Sequence, residues 1–413
     1  MHSISFPACK SRKRDINYFR KDSFSMSSQE NRAADAAAPE PVAKHPEYTY
    51  TMMIFDGLCV SGASVVIPLL RDHYGLSYDL VGTLLALLSV GNLLSSFICG
   101  FLPRRLGVRK TALIFTSGLF LGYLMLVLFR APFIICLAFL VIGLGKGSTM
   151  NNATVAAGSG TADKTKSTNF INATFALGSL MVPVLYTAAG RLPGWKGPLC
   201  AFTFFGLVIW IMFHMIGLSS VRLTGKNTED RSFLRSPHFW LSVAFLFFIQ
   251  CSEITVVGWV VTYFKDAGIL SGALSSWTVT VFWLAMLIGR LQIVFVIPPE
   301  SPLRTLPVMS AGTCVTYLLL LTSQSGITAV VFLFLYGLTA AGLYPTVIAQ
   351  SAKNMNNASV GVMLPIGGIG AIVTPYLVGA VAAKAGIEAG MACPMAAILL
   401  SFLCSLLLRR MPD

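Results

Sequence analysis

The chain has 413 residues, of which 55% are hydrophobic and only 11% are charged, and its mean hydropathy is +0.73. Soluble domains average about 25% charged residues, so this composition excludes an ordinary soluble protein and indicates a polytopic α-helical membrane protein. The formal net charge of +13 would suit nucleic acid, but Lys and Arg concentrate in the first 44 residues and in alternate short loops. This distribution is typical of cytoplasmic membrane loops, so we expect no nucleic-acid partner.

The N-terminal segment 1–49 differs in kind from the rest of the chain. It is rich in Lys, Arg, Ser, Ala and Pro, and it lacks the apolar core of a secretory signal. We predict that this segment is a disordered cytoplasmic tail. Translation that started at Met26 would give a tail of more ordinary composition. The nine cysteines and five histidines show no spacing typical of disulfides or metal ligands, so we expect no metal site and no cofactor.

Twelve apolar runs of about twenty residues, the length of a bilayer-spanning helix, follow the tail. We predict membrane spans at residues 50–70, 81–102, 111–130, 133–157, 168–190, 198–218, 238–264, 273–297, 304–322, 326–350, 358–383 and 387–408. Gly and Pro interrupt the eighth and eleventh of these runs. The chain is therefore predicted to cross the bilayer twelve times.

The polar connection 219–236 is the longest inside the membrane part. It separates two sets of six spans of about equal length, 50–218 and 237–408, and a short tail follows at 409–413. This division predicts a duplicated six-helix bundle. Parallel repeats of this kind place the substrate site between the halves, near the bilayer midplane.

Two short patterns bear on duplication and orientation. The fifth and eleventh spans, which would be counterparts, both contain Gly-x4-Pro, as Gly178 to Pro183 and Gly370 to Pro375. Thirteen Lys and Arg residues, Arg290 among them, fall in the predicted cytoplasmic loops, against six in the outer loops. This asymmetry predicts that both termini lie in the cytoplasm.

Two acidic residues fall in the interior of the predicted spans, Asp56 in the first half and Glu253 in the second. Charge in hydrocarbon is costly and usually faces a bundle interior or a water-filled path, so both are candidates for proton coupling. Lys146 lies inside the fourth span. Asp56 therefore has two interpretations that the sequence leaves open, a structural ion pair with Lys146 or a role in transport.

Amide and aromatic side chains inside the spans are candidates for binding a polar solute. These candidates are Asn151, Asn152, Asn169, Asn172, Gln250, Trp259 and Trp283, and Tyr344 belongs to the same interior set. Polar side chains also bridge transmembrane helices, so each candidate has a purely structural alternative.

The loop after the second span carries a recognisable pattern of glycines and basic residues. It contains Gly100, Arg104, Arg105, Gly107, Arg109 and Lys110. It resembles the loop signature of the major facilitator superfamily, although Arg104 stands where that signature has an acid. The resemblance implies that Gly100, Arg105, Gly107 and Arg109 form a gating loop.

Further matches occur in order along the chain and resemble the L-fucose permease-like branch of that family. They include Gly143 and Gly145, Asn169 with Phe175 and Pro183, Glu253 with Trp259, Trp283 with Arg290, and Gly342 with Pro345. Ser148 stands where the branch often has a glutamate. The resemblance implies an all-α bundle of twelve transmembrane helices in two six-helix halves that works by alternating access.

We therefore predict a secondary active transporter for a small polar solute, a sugar or related compound, with proton coupling as an open possibility. An exporter of drugs or metabolites with the same fold is an alternative, and a non-transporting sensor is another. No convergent His/Asp cluster indicates an enzyme. We expect a monomer that crosses the plasma (inner) membrane many times.

Overall fold

The computed structural model describes residues 43–159, 164–192, 194–218, 232–293, 302–354 and 357–411. Within these ranges, twelve helical spans are long and apolar enough to cross a membrane, which confirms the predicted all-α class. We number the spans α1 to α12. In the first half they are α1 (Tyr48–Tyr74), α2 (Tyr78–Phe101), α3 (Val108–Leu128), α4 (Pro132–Ser159), α5 (Lys164–Leu180 and Val182–Ala189) and α6 (Gly197–Ile216).

The second half has the same number of spans. They are α7 (Pro237–Asp266), α8 (Thr278–Leu291), α9 (Pro302–Leu321), α10 (Gly326–Ala340 and Leu343–Asn354), α11 (Asn357–Gly368 and Gly370–Ala385) and α12 (Ile387–Arg410). Short helices at Pro103–Leu106 and Gly272–Ser275 precede α3 and α8, and Ser232–Arg235 forms a 3-10 turn before α7.

Helix ends follow local sequence signals. Gly75 ends α1 in the left-handed conformation (φ 65°), and its N–H donates to the carbonyl of Arg71. The hydroxyl of Ser77 then accepts from the N–H of Leu80 and caps the start of α2. Glycine tolerates positive φ without a steric penalty, and serine satisfies a free N–H at a helix start. The turn between α1 and α2 is thus encoded locally.

Three spans are interrupted rather than continuous. The predicted break in the eleventh span occurs at Ile369, between two glycines. The breaks in α5 at Met181 and in α10 before Leu343 lie two and three residues ahead of Pro183 and Pro345. Both prolines therefore lie in the first turn of the segment that follows the break, where a proline lacks no intrahelical hydrogen bond.

The repeated Gly-x4-Pro pattern marks two close helix contacts. A Cβ built on Gly178 would lie 1.8 Å from the carbonyl oxygen of Ile54 in α1. A Cβ built on Gly370 would lie 2.2 Å from the carbonyl oxygen of Phe247 in α7. In each half, therefore, the glycine of the fifth helix of that half allows its backbone to touch the first helix.

The predicted polar segments lie largely beyond the described residues. Residues 1–42 of the predicted tail, 219–231 of the predicted link and 412–413 at the end are outside them. The last part of the tail is ordered, because Ala43 forms an antiparallel bridge with Leu218 and the N–H of His45 donates to the carbonyl of Ile216 (3.1 Å). The chain thus runs beside the end of α6 before α1 begins.

The two halves meet along three pairs of helices. Helix α2 packs against α11, α5 against α8, and α1 against α7. The α2–α11 contact is tight near the start of α2, where a Cβ built on Gly379 would lie 2.5 Å from the carbonyl oxygen of Tyr78. The interior charged residues of α1, α4 and α7 belong to helices of both halves.

Candidate functional site

Three charged side chains of the described residues lie more than one turn from both ends of their spans. They are Asp56 in α1, Lys146 in α4 and Glu253 in α7. Other acidic residues within the bounds of spans occur at helix ends, as Asp72, Asp79, Asp266 and Glu388 do. The structure thus separates two interior carboxyl groups from a larger set at the membrane faces.

Asp56 is completely buried, and neither oxygen of its carboxyl group has a hydrogen-bond partner among the described residues. The charge of Lys146 acts on Asp56 electrostatically, but no nitrogen–oxygen contact within 4.0 Å joins them in the described part of the chain. Their interaction is therefore one of charges at longer range and not a contact ion pair.

Lys146 also connects the two halves. Its charge interacts with Glu253 in α7 as well as with Asp56. Glu253 is 8% exposed, and one of its oxygens, Oε2, is buried without a partner among the described residues. The charge of a second cation, Arg290 of α8, also acts on Glu253. We call Asp56, Lys146, Glu253 and Arg290 the charge network.

The position of Arg290 corrects the sequence analysis, which counted this residue among the cytoplasmic loop charges. Helix α8 continues through Gly289 and Arg290 to Leu291, and the Nε of Arg290 is buried without a hydrogen-bond partner in the described part of the chain. The charge of Glu253 also acts electrostatically on two tyrosines of α10, Tyr336 and Tyr344. The charge count of the loops did not reveal the buried position of Arg290, although the predicted eighth span, 273–297, already contained this residue.

Trp283 lies at the interface between the halves. It is 8% exposed, and its Nε1 is buried without a partner among the described residues. Its ring meets that of Phe175 in α5 edge-on, with ring centroids 5.5 Å apart. The backbone of Phe175 in turn touches Gly57, where an added Cβ would lie 1.9 Å from its carbonyl oxygen. Trp283 is thus connected through Phe175 to Gly57, the residue that follows Asp56.

Two other predicted binding residues, Trp259 and Asn152, form hydrogen bonds to backbone carbonyls of their own half. Trp259 is fully buried, and its Nε1 donates to the carbonyl of Pro375 (3.1 Å). The amide of Asn152 donates to the carbonyl of Ser148 one turn before it (2.8 Å). These two side chains have their donors engaged in helix contacts.

The remaining amide candidates are placed as follows. Asn151 donates a long hydrogen bond (3.4 Å) from α4 to the hydroxyl of Ser96 in α2. Gln250 and Asn172 are half-buried in α7 and α5. Asn169 lies in the helical part of α5, and its side chain falls outside the description. None of these distances joins an amide to the charge network.

The predicted gating loop has a clear conformational requirement. Helix α2, which contains Gly100, ends at Phe101, and Gly107 follows the short helix with φ 83°, a conformation that favours glycine. Arg105 and Arg109 are exposed. No ion pair of either arginine occurs within 4.0 Å among the described residues. The loop thus has a structural reason for Gly107, while the gating role of its arginines stays a prediction.

A second charged cluster joins the halves at the ends of α1 and α7. Arg71 pairs with Asp266, and Lys265 pairs with Asp72, so each helix supplies one base and one acid. The hydroxyl of Tyr78 donates to Asp266 (3.0 Å), and the Arg71 guanidinium lies 4.1 Å from the centre of the Tyr78 ring. We call these five residues the reciprocal cluster.

The reciprocal cluster is not evident from the sequence, in which Arg71 and Lys265 count only among the six outer-loop charges. A signal was present, since both halves carry a basic residue followed by aspartate at the end of their first span. Two further hydrogen bonds join the halves toward the same face. The Ser64 hydroxyl donates to the carbonyl of Val257, and the Thr280 hydroxyl donates to that of Leu180, both at 2.8 Å.

Twelve membrane-crossing helices in two sets of six, with charged side chains enclosed between them, are the architecture of an α-helical membrane transporter. A sequence model of the Major Facilitator Superfamily matches residues 49–375, and the chain belongs to this family. The family predicted from the loop motif is therefore confirmed.

Three proteins with a similar sequence or structure are named as transporters of different solutes. The gallate transporter of Pseudomonas putida is 24% identical, over 80% of this chain and 84% of its own. The crystal structure of the nucleoside transporter NupG has a TM-score of 0.72 at 12% identity, covering 88% of this chain and 99% of that one. The fucose:proton symporter FucP of E. coli has a TM-score of 0.61 at 13% identity, covering 89% and 98%.

Proposed function

We propose that this protein is a secondary active transporter that moves a small polar solute by alternating access and couples this movement to protons. The charge network is the observation that carries the proposal. Sugars and related compounds are the first solutes to test, together with the nucleoside and aromatic-acid classes that the names of similar proteins supply.

Glu253 is suited to sense the relative movement of the two halves. Arg290 belongs to the same half as Glu253, whereas Lys146 belongs to the other. A nearby cation favours an ionised carboxylate, and its withdrawal favours the protonated acid. When the halves move, the distance from Lys146 to Glu253 changes while Arg290 stays with its own half. Glu253 can therefore load and release a proton as the protein changes conformation.

The assignment of the two membrane faces gives the reciprocal cluster a specific role. The loop charges favour cytoplasmic termini, which would place the ends of α1 and α7 on the outer face. The ion pairs of Arg71 and Lys265 then close the outer side of the transporter in this conformation. Opening to the outside requires that both ion pairs separate.

The decisive experiment compares Glu253→Gln with wild type in proteoliposomes. Accumulation of radiolabelled L-fucose, uridine and gallate is measured with an inward proton gradient, and exchange of the transported solute is measured at equal pH. We expect Glu253→Gln to retain exchange and to lose gradient-driven accumulation, because an amide cannot carry the coupling proton.

Glu388→Gln is the matched control, because Glu388 is an exposed acid in the first turn of α12. This variant should accumulate solute as wild type does. Full gradient-driven accumulation by a folded Glu253→Gln protein would exclude Glu253 from coupling. Absence of gradient-driven uptake of a solute that wild type does exchange at equal pH would exclude proton coupling.

A further inference from the structure

Two buried hydrogen-bond donors of α8 lack a partner in the described part of the chain. They are Nε1 of Trp283 and Nε of Arg290. The two residues are seven positions apart, which is two helical turns, so both lie on one face of α8. Both groups can only donate, and burying a donor without an acceptor is unfavourable. The missing component is therefore a molecule that supplies acceptor oxygens.

The charge of the network limits what this molecule can be. Asp56 and Glu253 carry two negative charges when ionised, and Lys146 and Arg290 carry two positive charges, so the four sum to zero. A coupling proton on Glu253 raises the sum to +1. A net charge in the membrane interior is costly. A neutral sugar leaves that charge in place, whereas a monocarboxylate cancels it.

Protonation of Glu253 also changes the electrostatic environment of the Arg290 guanidinium. The charge of Arg290 acts on Glu253, yet no contact within 4.0 Å joins them among the described residues. Once Glu253 is neutral, the guanidinium has lost this counter-charge. A carboxylate is the anion that a planar guanidinium binds best, through two parallel hydrogen bonds.

We propose that the transported solute is a small organic acid. Its carboxylate binds to Arg290, with Trp283 donating to a further oxygen of the solute, while Glu253 holds the coupling proton. The loaded transporter is then electrically neutral in its interior. This inference rests on the proposed function and narrows its solute from polar compounds in general to carboxylates.

The aromatic surroundings of Trp283 favour an acid with a flat body. The indole ring and the ring of Phe175 meet across the two halves. Offset-stacked or edge-on ring contacts stabilise an aromatic partner beyond burial alone. Gallate, named for the P. putida relative, combines such a ring with one carboxylate. It is therefore the first probe to use.

The first experiment measures thermal unfolding of the purified full-length protein with pairs of probes that differ in the carboxylate. The pairs are gallate with pyrogallol, benzoate with benzyl alcohol, and D-gluconate with D-glucose, with L-fucose and uridine as further neutral probes. We expect at least one acid to raise the unfolding temperature progressively as its concentration exceeds its Kd, and its neutral partner to have no effect. Equal stabilisation by a neutral probe, or none by any acid, would overturn the proposal.

The second experiment tests the residues. Arg290→Lys retains the charge but removes the planar donor, and Trp283→Phe retains the ring but removes Nε1–H. We expect the Kd of the stabilising acid to rise about tenfold to hundredfold in Arg290→Lys, as for a lost hydrogen bond to a charged group, and less in Trp283→Phe. Arg304→Lys and Trp277→Phe are matched controls, because both side chains are exposed. Unchanged Kd values in both test variants would overturn the binding role.

The third measurement separates this inference from the proposed function. Uptake of the acid under a proton gradient should not change when valinomycin and potassium clamp the membrane potential, because proton and anion charges cancel. Proton-driven uptake of a neutral solute alone would overturn the inference and leave the proposed function standing. Binding of an acid without any proton-driven uptake would overturn the proposed function and leave the carboxylate-binding inference standing.

Discussion

Lys146 is the residue whose charge reaches both interior carboxyl groups, Asp56 in its own half and Glu253 in the other. The sequence left open whether Asp56 pairs with Lys146 structurally or takes part in transport. The structure shows an interaction without contact, in which both Asp56 oxygens are buried without partners among the described residues. Removing either charge alone then leaves the other uncompensated, which is unfavourable in a buried site.

A double-mutant cycle tests this coupling. We expect Asp56→Asn and Lys146→Met each to lower the unfolding temperature of the detergent-solubilised protein. The double variant should recover part of the loss, with a coupling free energy of about 0.5–3 kcal/mol. Asp79→Asn combined with Lys146→Met is the control, because Asp79 is exposed at the start of α2. Strict additivity in the Asp56 cycle would show that the two charges are independent.

At the scale of helices, glycines set how closely α1 and α5 approach. Gly57 and Gly178 bracket this contact, since the backbone of Phe175 lies against the first and the backbone of Ile54 against the second. A side chain at either position would meet backbone atoms, which cannot move aside as a flexible side chain can. Small residues at helix interfaces serve this purpose in membranes.

Gly57→Ala and Gly178→Ala should therefore each destabilise the protein by about 1–3 kcal/mol, the usual cost of overpacking. The measurement is the fraction of protein that elutes as a folded monodisperse peak after heating. Gly361→Ala is the control, because nothing lies within 4 Å of a Cβ built there. It should be neutral or slightly stabilising, since alanine favours helix over glycine. Equal loss in all three variants would contradict the role of close approach.

The sequence predicts elements better than it predicts their contacts. Hydropathy alone located the twelve spans and the two interior acids, because a bilayer demands long apolar runs. The breaks in α5 and α10 were missed, because Pro183 and Pro345 affect the backbone locally and do not change the hydropathy of the span. Arg290 was misplaced in a loop and the reciprocal cluster was missed. Both depend on distances between helices that no spacing along the chain encodes.

At the scale of the whole molecule, the reciprocal cluster joins the halves next to a cavity of about 110 Å³. Lys265, Asp72 and Ser275 line this cavity together with apolar residues of α1 and α7. Ser275 is completely buried in this conformation. Its accessibility therefore reports whether the halves have separated on this side.

Neutralising the cluster should open this face. We expect Asp72→Asn combined with Asp266→Asn to increase the labelling rate of Ser275→Cys by an impermeant maleimide about fivefold to tenfold, in a background without native cysteines. This factor corresponds to roughly 1 kcal/mol for two partly exposed ion pairs. Asp79→Asn is the control and should leave the rate unchanged. An unchanged rate in the double variant would show that the cluster does not hold the halves together.

The orientation of the molecule is tested independently by topology mapping. We predict that Lys226→Cys, in the link 219–236, reacts with an impermeant reagent only after the cells are permeabilised. Lys384→Cys, in the last turn of α11, should react in intact cells. The opposite pattern would invert the assignment of faces, and the reciprocal cluster would then close the cytoplasmic side.

The reciprocal cluster also has the form of a two-fold interface. Residue Arg71 of one half contacts Asp266 of the other, and Lys265 contacts Asp72, so each half offers a base followed by an acid and accepts the same pair in return. Such a surface is self-complementary, as in an isologous dimer. Two separate copies of a six-helix unit ending its first helix in this dipeptide would pair here without any further change, before a peptide link joined them.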